Sequence, residues 1–336
     1  MASGPPPMTP PADDETSPAV EPGAAARRER LRRIGAVVLQ SAIVLALALA
    51  LALWLQRDWD TVAATFATIS PWSLVAATLS AMAGVVASAF VWRGVLGALG
   101  QPSTVVSALV VYLVGQLAKF IPGGFWAFLY QIVLGARRGF GRVATGLAGP
   151  IAAAVGLATG GITLSLALSR IAVPLPWLYP LIGTALLLVT LVSPALVNGV
   201  VRWGLRVVLR RGDREVSFTR PLIAQIIACA LASWFLYGAQ LLFLLSGTSH
   251  TMTILGATAI AAGAQSLGFL AVIFPSGLGV REAVIVAGLS GFASSPSAAL
   301  AIALAARVTS TIGDLLAAGL SRLAEWLATR RSHQLG

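Results

Sequence analysis

The feature that most constrains this chain is a series of apolar runs, each about as long as a bilayer is thick. They occupy residues 34–55, 72–97, 143–168, 174–196, 221–246 and 297–320. A helix rises about 1.5 Å per residue, so about 20 apolar residues cross a hydrocarbon core about 30 Å thick. Because 57% of the residues are hydrophobic and only 10% are charged, a soluble enzyme is excluded. The sequence predicts an all-α, polytopic membrane protein with about six full spans.

Two further apolar segments each contain a helix break, and both are predicted to be hairpins. Residues 104–134 are too few for two crossings and a turn, which need roughly 40 residues, so a re-entrant hairpin is expected there. Residues 254–293 form either a second re-entrant hairpin or two short spans. The residues predicted at the hairpin tips are Pro122, Gly123 and Gly124 in the first segment and Pro275, Gly277 and Gly279 in the second.

The distribution of basic residues predicts the topology, because Arg and Lys concentrate in short cytoplasmic loops. If both broken segments return to the side from which they enter, 18 of the 23 basic residues fall in cytoplasmic segments. Only Arg57 and Arg170 then lie in outer loops. Treating 104–134 as a single crossing would put the basic cluster at 202–220 outside. Both termini are therefore expected to be cytoplasmic.

This topology divides the chain into a membrane domain and two tails. Residues 1–26, rich in Pro and acidic residues, are expected to be a disordered cytoplasmic tail, and 326–336 a second cytoplasmic tail. The membrane domain, 27–325, contains two units of opposite orientation, at about 72–168 and 221–320. A basic cytoplasmic loop, 198–220, links the units, and its amphipathic part is expected to lie on anionic lipid. Inverted repeats with broken helices are typical of secondary transporters.

Five charged residues lie inside the membrane segments, where a charge needs a partner or a water-filled cavity. They are Lys119, Arg281, Glu282, Arg307 and Asp314. Adjacent helical residues do not face one another, so Arg281 and Glu282 each need a partner elsewhere. The residues at 307 and 314, two turns apart on one face of the last span, are candidates. Two interpretations stay open, namely an ion-pair network that fixes the bundle and a polar path for a substrate.

Amides extend this candidate path. Gln116 and Gln265 hold matching places before the two breaks, whereas Gln131, Gln225 and Gln240 are expected to make interhelical hydrogen bonds. The predicted substrate path comprises Gln116, Lys119, Gln265, Arg281, Glu282, Arg307 and Asp314. The five charges leave an excess of one positive charge, and the helix N-termini after the breaks also favour anions. A phosphate-bearing headgroup therefore suits the site.

Other chemistries have no support in the sequence. The single cysteine lies in an apolar run and the two histidines are far apart, so no metal site is expected. Because Walker A and nucleophile-elbow motifs are absent, neither ATP hydrolysis nor any cofactor is expected. The basic residues do not form the aromatic-interleaved surface that nucleic acid requires. The tryptophans near span ends are expected in interfacial belts; they are Trp54, Trp59, Trp72, Trp92, Trp177 and Trp203.

The two hairpin sequences, GQLAKFIPGGFW at 115–126 and FPSGLGVREA at 274–283, resemble the lysylphosphatidylglycerol synthase transmembrane region family. This is the flippase part of the multiple peptide resistance factors, and the resemblance covers about residues 30–325. It implies a multi-pass lipid translocase of the bacterial inner membrane, with Arg281 and Glu282 as motif residues. Full-length resistance factors also carry a soluble aminoacyl transferase domain. Since this chain ends at Gly336, a stand-alone member that is not an enzyme is expected.

Three functions remain in view. The favoured one is an ATP-independent, flippase-like translocase for a polar, phosphate-containing lipid or lipid-linked precursor, with membrane lipids as its partners. The first alternative is a non-catalytic membrane partner of a separate enzyme that makes or modifies envelope lipids or glycans. The second alternative is a transporter of small anions.

Overall fold

The computed structural model describes residues 56, 59–121, 125–168, 185, 193–209, 216–246, 252–271 and 277–334. Over these ranges the protein is all-helical and contains no strand. A short 3₁₀ helix, Leu117–Phe120, follows the third helix directly. The α-helices are α1 (Trp59–Thr68), α2 (Pro71–Ala98), α3 (Val105–Gln116), α4 (Trp126–Ala136), α5 (Arg142–Leu168), α6 (Pro194–Leu209), α7 (Arg220–Leu245), α8 (Ile254–Leu270), α9 (Val280–Gly288) and α10 (Pro296–Gln334).

Four of the described helices are long and apolar enough to cross a membrane. They are α2, α5 over Arg142–Leu164, α7, and α10 over Pro296–Arg330. Four of the six predicted full spans are thus confirmed, and with them the polytopic helical fold class. The predicted span at 34–55 lies outside the described residues, as does nearly all of the one at 174–196.

Local sequence signals explain where several of these helices begin. The side-chain oxygens of Ser70, Thr104 and Thr253 each accept the backbone N–H of the residue three positions later, at 3.1–3.2 Å. These N-caps satisfy donors that the first turn leaves unpaired. Helix α2 also has Pro71 at its first position, where proline has no hydrogen bond to lose.

The first broken segment is a helical hairpin that returns to the end of the bundle at which it began. Helices α3 and α4 pack against each other, and the backbone N–H of Gly141, beyond α4, donates to the Gln101 side chain, before α3, at 2.9 Å. The entrance and exit of the segment therefore lie together, as the distribution of basic residues predicts.

The second broken segment is also a hairpin, with α8 and α9 as antiparallel arms. A Cβ added at Gly268, near the end of α8, would lie 2.5 Å from Arg281 at the start of α9. At the other end, a Cβ on Gly288 would lie 2.7 Å from Ile260. Helix α9 has 9 residues, which gives it a length of only about 14 Å. The return arm is thus about half a bilayer long, which favours the re-entrant alternative.

Helices α2 and α7, the first helices of the two repeat units, cross in opposite directions. The hydroxyls of Ser73 and Ser246 lie 2.7 Å apart at one end of the pair, and Gly94 contacts Ile226 near the other. Contacts between the other helices occur in corresponding pairs. Helix α3 packs on α10 just as α8 packs on α5, and α4 packs on α5 just as α9 packs on α10. Exchanging the two units reproduces the packing pattern, so the bundle is an inverted repeat.

Tryptophan burial corrects one sequence prediction. Trp72 is 82% exposed and Trp203 is 68% exposed, as residues of an interfacial belt should be. Trp92 is instead completely buried, with its ring 6.1 Å from that of Tyr112. The prediction that Trp92 belongs to the interfacial belt was wrong, because the face of α2 that carries Trp92 packs against α3 and α7. Trp54 and Trp177 lie outside the described residues.

Helix α6 precedes α7 and is amphipathic. The Asn198 side chain accepts the Phe218 backbone N–H at 2.8 Å and donates to the Phe218 carbonyl at 3.1 Å, which holds α6 against the chain that leads into α7. Leu205 is buried on the inner face. A stripe of exposed apolar side chains runs along another face, comprising Leu196, Val200, Trp203 and Val207.

Candidate functional site

Two neighbouring cavities lie between the hairpins and the long helices. The larger, about 370 Å³, is lined by residues of α2, α3, α4, α5, α7 and α8. The smaller, about 50 Å³, lies among α7, α8, α9 and α10. Four side chains line both cavities, namely Lys119, Tyr237, Gln265 and Arg281. Three of these four belong to the path predicted from the sequence.

Glu282 organises the start of α9 and ties it to the last span. The side chain is buried, and its Oε2 accepts the backbone N–H of Gly279 at 2.7 Å, which caps the helix. Its Oε1 forms an ion pair with Arg307 of α10. A glutamate at the third helical position commonly caps the preceding N–H in this way. The partner that Glu282 needs therefore comes from another helix.

A second ion pair ties the first hairpin to the same helix. Lys119 Nζ lies 2.5 Å from Asp314 Oδ2. Lys119 sits on the 3₁₀ helix after α3, whereas Asp314 is buried in α10. Both hairpins are thus held to α10 by buried or half-buried charges, two turns apart along one helix.

Arg281 is the one membrane charge left over from these pairs. Within the described structure it makes no hydrogen bond and no ion pair, although it lines both cavities. Its aliphatic stem packs directly on Gly268, where an added Cβ would lie 2.5 Å from Cγ. Because the two pairs neutralise four of the five charges, the site presents one uncompensated guanidinium to the cavities.

Glycine is required at the second break by both conformation and space. Gly277 and Gly279 have φ values of +67° and +83°, a region that other residues rarely adopt. A Cβ on Gly277 would also lie 2.6 Å from the Cα of Gly268. The backbone at Gly277 therefore rests directly on α8 at Gly268, which also contacts Arg281. The other predicted tip residues, Pro122, Gly123, Gly124 and Pro275, lie outside the described residues.

The amides divide into two groups. Gln116 and Gln265 both line the larger cavity, as their matching places before the breaks suggest. Gln240 donates to the Ala306 carbonyl and to the Thr309 and Ser310 hydroxyls, each within 2.9 Å, which confirms its interhelical role.

The prediction of interhelical hydrogen bonds was wrong for two amides, namely Gln225, which is exposed on α7, and Gln131. Gln131 is only 1% exposed, yet neither its Oε1 nor its Nε2 has a hydrogen-bond partner in the described part of the chain. It lines the larger cavity, with Gly115 and Gly149 against its side chain. Whether the Gln131 side chain faces the cavity or a neighbouring helix depends on how α4 is rotated within the bundle, and no local sequence signal encodes that rotation.

Sequence reasoning also missed three cavity residues. Tyr112, Tyr237 and Ser266 line the larger cavity, and the Ser266 hydroxyl is buried without a hydrogen-bond partner. Tyrosine and serine are common in membrane helices, so their presence alone does not single out a site. The sequence distance of these three residues from the helix breaks is the one signal of a role in the cavity, and it can be interpreted only when the helix packing is known.

Comparison with known protein families gives a match. The family model described as lysylphosphatidylglycerol synthase TM region matches residues 37–318, which is more than half of the chain. This range contains both hairpins and all five membrane charges. No curated protein matches the chain.

Proposed function

Because this chain belongs to the lysylphosphatidylglycerol synthase TM region family, we propose that it is a membrane lipid translocase that works without ATP. Its substrate is a polar, phosphate-containing lipid or lipid-linked precursor. The observation that carries the proposal is the unpaired guanidinium of Arg281 at the boundary of the two cavities. By the same proposal the chain lies in the bacterial inner membrane with both termini cytoplasmic, and it does not itself aminoacylate lipids.

An unpaired arginine inside a membrane protein is costly, which makes it a functional-site candidate. A guanidinium presents a planar fork of donors that matches a phosphate in two-pronged hydrogen bonds. Arg281 also lies in the first turn of α9, whose positive N-terminal end favours an anion. A phosphate placed there would neutralise the remaining charge.

The walls of the larger cavity favour a lipid over a small soluble anion. Phe125, Phe128 and Phe269 line it together with Leu157, and the rings of Phe128 and Phe269 meet edge to face at 6.4 Å. The cavity thus combines an apolar wall with the polar residues at 116, 119 and 281. A small anion gains nothing from contact with the apolar wall, whereas the glycerol backbone and upper acyl chains of a lipid are stabilised by it.

In the proposed mechanism the hairpins are the moving parts. The pairs Lys119–Asp314 and Glu282–Arg307 hold the two hairpins to α10. Releasing one pair while the other stays closed would open the cavity alternately to each side, as in other inverted-repeat transporters.

The proposal is tested with fluorescent lipids in proteoliposomes, by following how much label dithionite can reach. Arg281→Gln removes the charge, and we expect the rate for an anionic phospholipid to fall about tenfold or more, as loss of a charged hydrogen bond would give. Arg281→Lys should retain part of the rate. Arg206→Gln, at an exposed site on α6, is the matched control and should behave like wild type.

Two results would overturn the proposal. A folded Arg281→Gln variant that keeps the full rate would remove Arg281 from the site. If wild type moves no lipid at all, the translocase itself is rejected, and an envelope enzyme that copurifies with the chain would then support the docking-partner alternative. Competition by soluble anions would support the small-anion alternative.

A further inference from the structure

The larger cavity contains buried polar atoms that nothing in the described structure satisfies. They are both amide atoms of Gln131, Oε1 of Gln265 and Oγ of Ser266. All three residues line this cavity, and Gln131 is almost completely buried. Buried polar groups in native proteins are nearly always hydrogen-bonded, and an unsatisfied one costs stability. These atoms therefore point to a bound ligand.

An interhelical structural role does not account for them. Gln240 shows what such a role looks like here, because its amide reaches three acceptors on α10. Gln131 reaches none among the described residues, although its side chain lies beside Gly115 and Gly149 and lines the larger cavity.

The unsatisfied atoms have a common chemistry. The Gln131 amide offers both a donor and an acceptor, the Ser266 hydroxyl offers both, and Gln265 Oε1 is an acceptor. A hydroxyl group can donate and accept, so hydroxyls complement every one of these atoms. A quaternary ammonium can do neither, and a phosphate diester cannot donate to the acceptors.

The charges of the larger cavity exclude another class of headgroup. Lys119 and Arg281 line it, and no Asp or Glu is among its described lining residues. Because Lys119 is paired with Asp314, the uncompensated charge is that of Arg281, and a headgroup that carries an amine would add a second positive charge beside it. The cavity suits an anionic headgroup with neutral polar groups.

From these observations, and resting on the proposed translocase function, we infer that the transported headgroup is a polyhydroxylated phosphate, meaning a phosphate that carries a polyol or sugar. Arg281 binds the phosphate. Ser266 and Gln131, which line the same cavity as Arg281, bind the hydroxyls.

The test compares lipids that share one phosphate diester and differ in hydroxyl content. Acyl-labelled phosphatidylinositol, phosphatidylglycerol and phosphatidylmethanol are reconstituted separately with wild-type protein. We expect phosphatidylinositol to move about tenfold faster than phosphatidylmethanol, the size of effect that two or three lost hydrogen bonds produce. Phosphatidylglycerol should lie between them, and lysyl-phosphatidylglycerol should move more slowly than phosphatidylglycerol.

Substitutions at Gln131 and Ser266 test whether these two residues recognise the hydroxyls. Gln131→Leu and Ser266→Ala should each narrow the ratio of the phosphatidylinositol rate to the phosphatidylmethanol rate. Gln225→Leu, an exposed amide on α7 away from the cavities, should leave the ratio as in wild type. Ser266→Ala removes a single atom, so it carries the test if Gln131→Leu does not fold.

The failures of the two proposals are distinguishable. If phosphatidylmethanol moves as fast as phosphatidylinositol, hydroxyl recognition is rejected while the translocase stands. An unchanged ratio in a folded Ser266→Ala or Gln131→Leu variant rejects that residue's role. If no lipid of any kind moves, the proposed function itself is rejected, and the inference with it.

Discussion

At the scale of single residues, the buried pair Lys119–Asp314 leads to a stability prediction. Lys119→Met leaves the buried Asp314 carboxylate without its cation, and breaking a buried pair in this way costs about 3–5 kcal/mol. The double variant Lys119→Met/Asp314→Leu removes both charges. We expect the single variant to unfold at a clearly lower temperature in detergent and the double variant to recover most of the loss.

A matched exposed pair serves as the control. Arg322, 54% exposed on α10, pairs with Glu325 at 3.0 Å, and Glu325 also keeps an ion pair with Arg138 at 2.8 Å. Pairs of this kind contribute little, so Arg322→Met should change the unfolding temperature only slightly. A double variant as unstable as Lys119→Met would contradict the account of this buried pair.

The sequence predicted part of this residue-level chemistry. That Glu282 would need a partner outside its own turn follows from helix geometry and the cost of a charge in lipid, and Arg307 is that partner. Which cation stays unpaired could not be predicted, since it depends on how α9 and α10 are rotated against each other. The unsatisfied amide of Gln131 was missed for the same reason.

At the scale of elements, the second helix break depends on contacts between glycines. Gly268→Ala would press a methyl group into the Arg281 stem, and Gly277→Ala would force an unfavourable φ against the α8 backbone. Overpacking of this kind typically costs about 1–3 kcal/mol. We expect both variants to lose thermal stability, and Gly268→Ala to lose anionic lipid transport as well because it displaces the guanidinium.

Gly319→Ala is the control for this element. An added Cβ at Gly319, in the middle of α10, meets no atom within 4 Å. Alanine is a better helix former than glycine, so this variant should be as stable as wild type or slightly more stable. Wild-type stability in Gly277→Ala would show that the break does not need its left-handed backbone.

Element positions were the most predictable part of the fold. Hydropathy and length located the four long spans, and Pro-Gly clusters located both hairpins, because a membrane leaves few ways to satisfy backbone groups. The burial of Trp92 was not predictable, since a tryptophan at a span end has the same sequence context whether it faces lipid or another helix.

At the scale of the whole molecule, the inverted repeat predicts a specific set of crosslinks. Ser73 contacts Ser246, and Ser88 contacts Ser233 with hydroxyls 2.9 Å apart. In a Cys229→Ser background, cysteine pairs at 73/246 and at 88/233 should form disulfides on mild oxidation, since the serine side chains at these positions already meet. Counting the free thiols with maleimide-polyethylene glycol measures the outcome.

The mismatched pair 73/233 provides the control for orientation. Because α2 and α7 run in opposite directions, these two positions should not crosslink. A disulfide at 73/233 in place of those at 73/246 and 88/233 would contradict the antiparallel arrangement, and with it the inverted repeat from which alternating access is argued.

The central claim is that the folded chain alone carries a phosphate-containing lipid across the bilayer. The most direct measurement uses sealed, nucleotide-free proteoliposomes with phosphatidylglycerol, labelled on an acyl chain, in both leaflets. Dithionite should quench nearly all of the fluorescence when wild-type protein is present, and only the outer-leaflet share, about half, in protein-free liposomes. With Arg281→Gln the inner-leaflet share should be quenched about tenfold or more slowly than with wild type. A wild-type signal that stays at the outer-leaflet share for every phosphate-containing lipid would contradict the account.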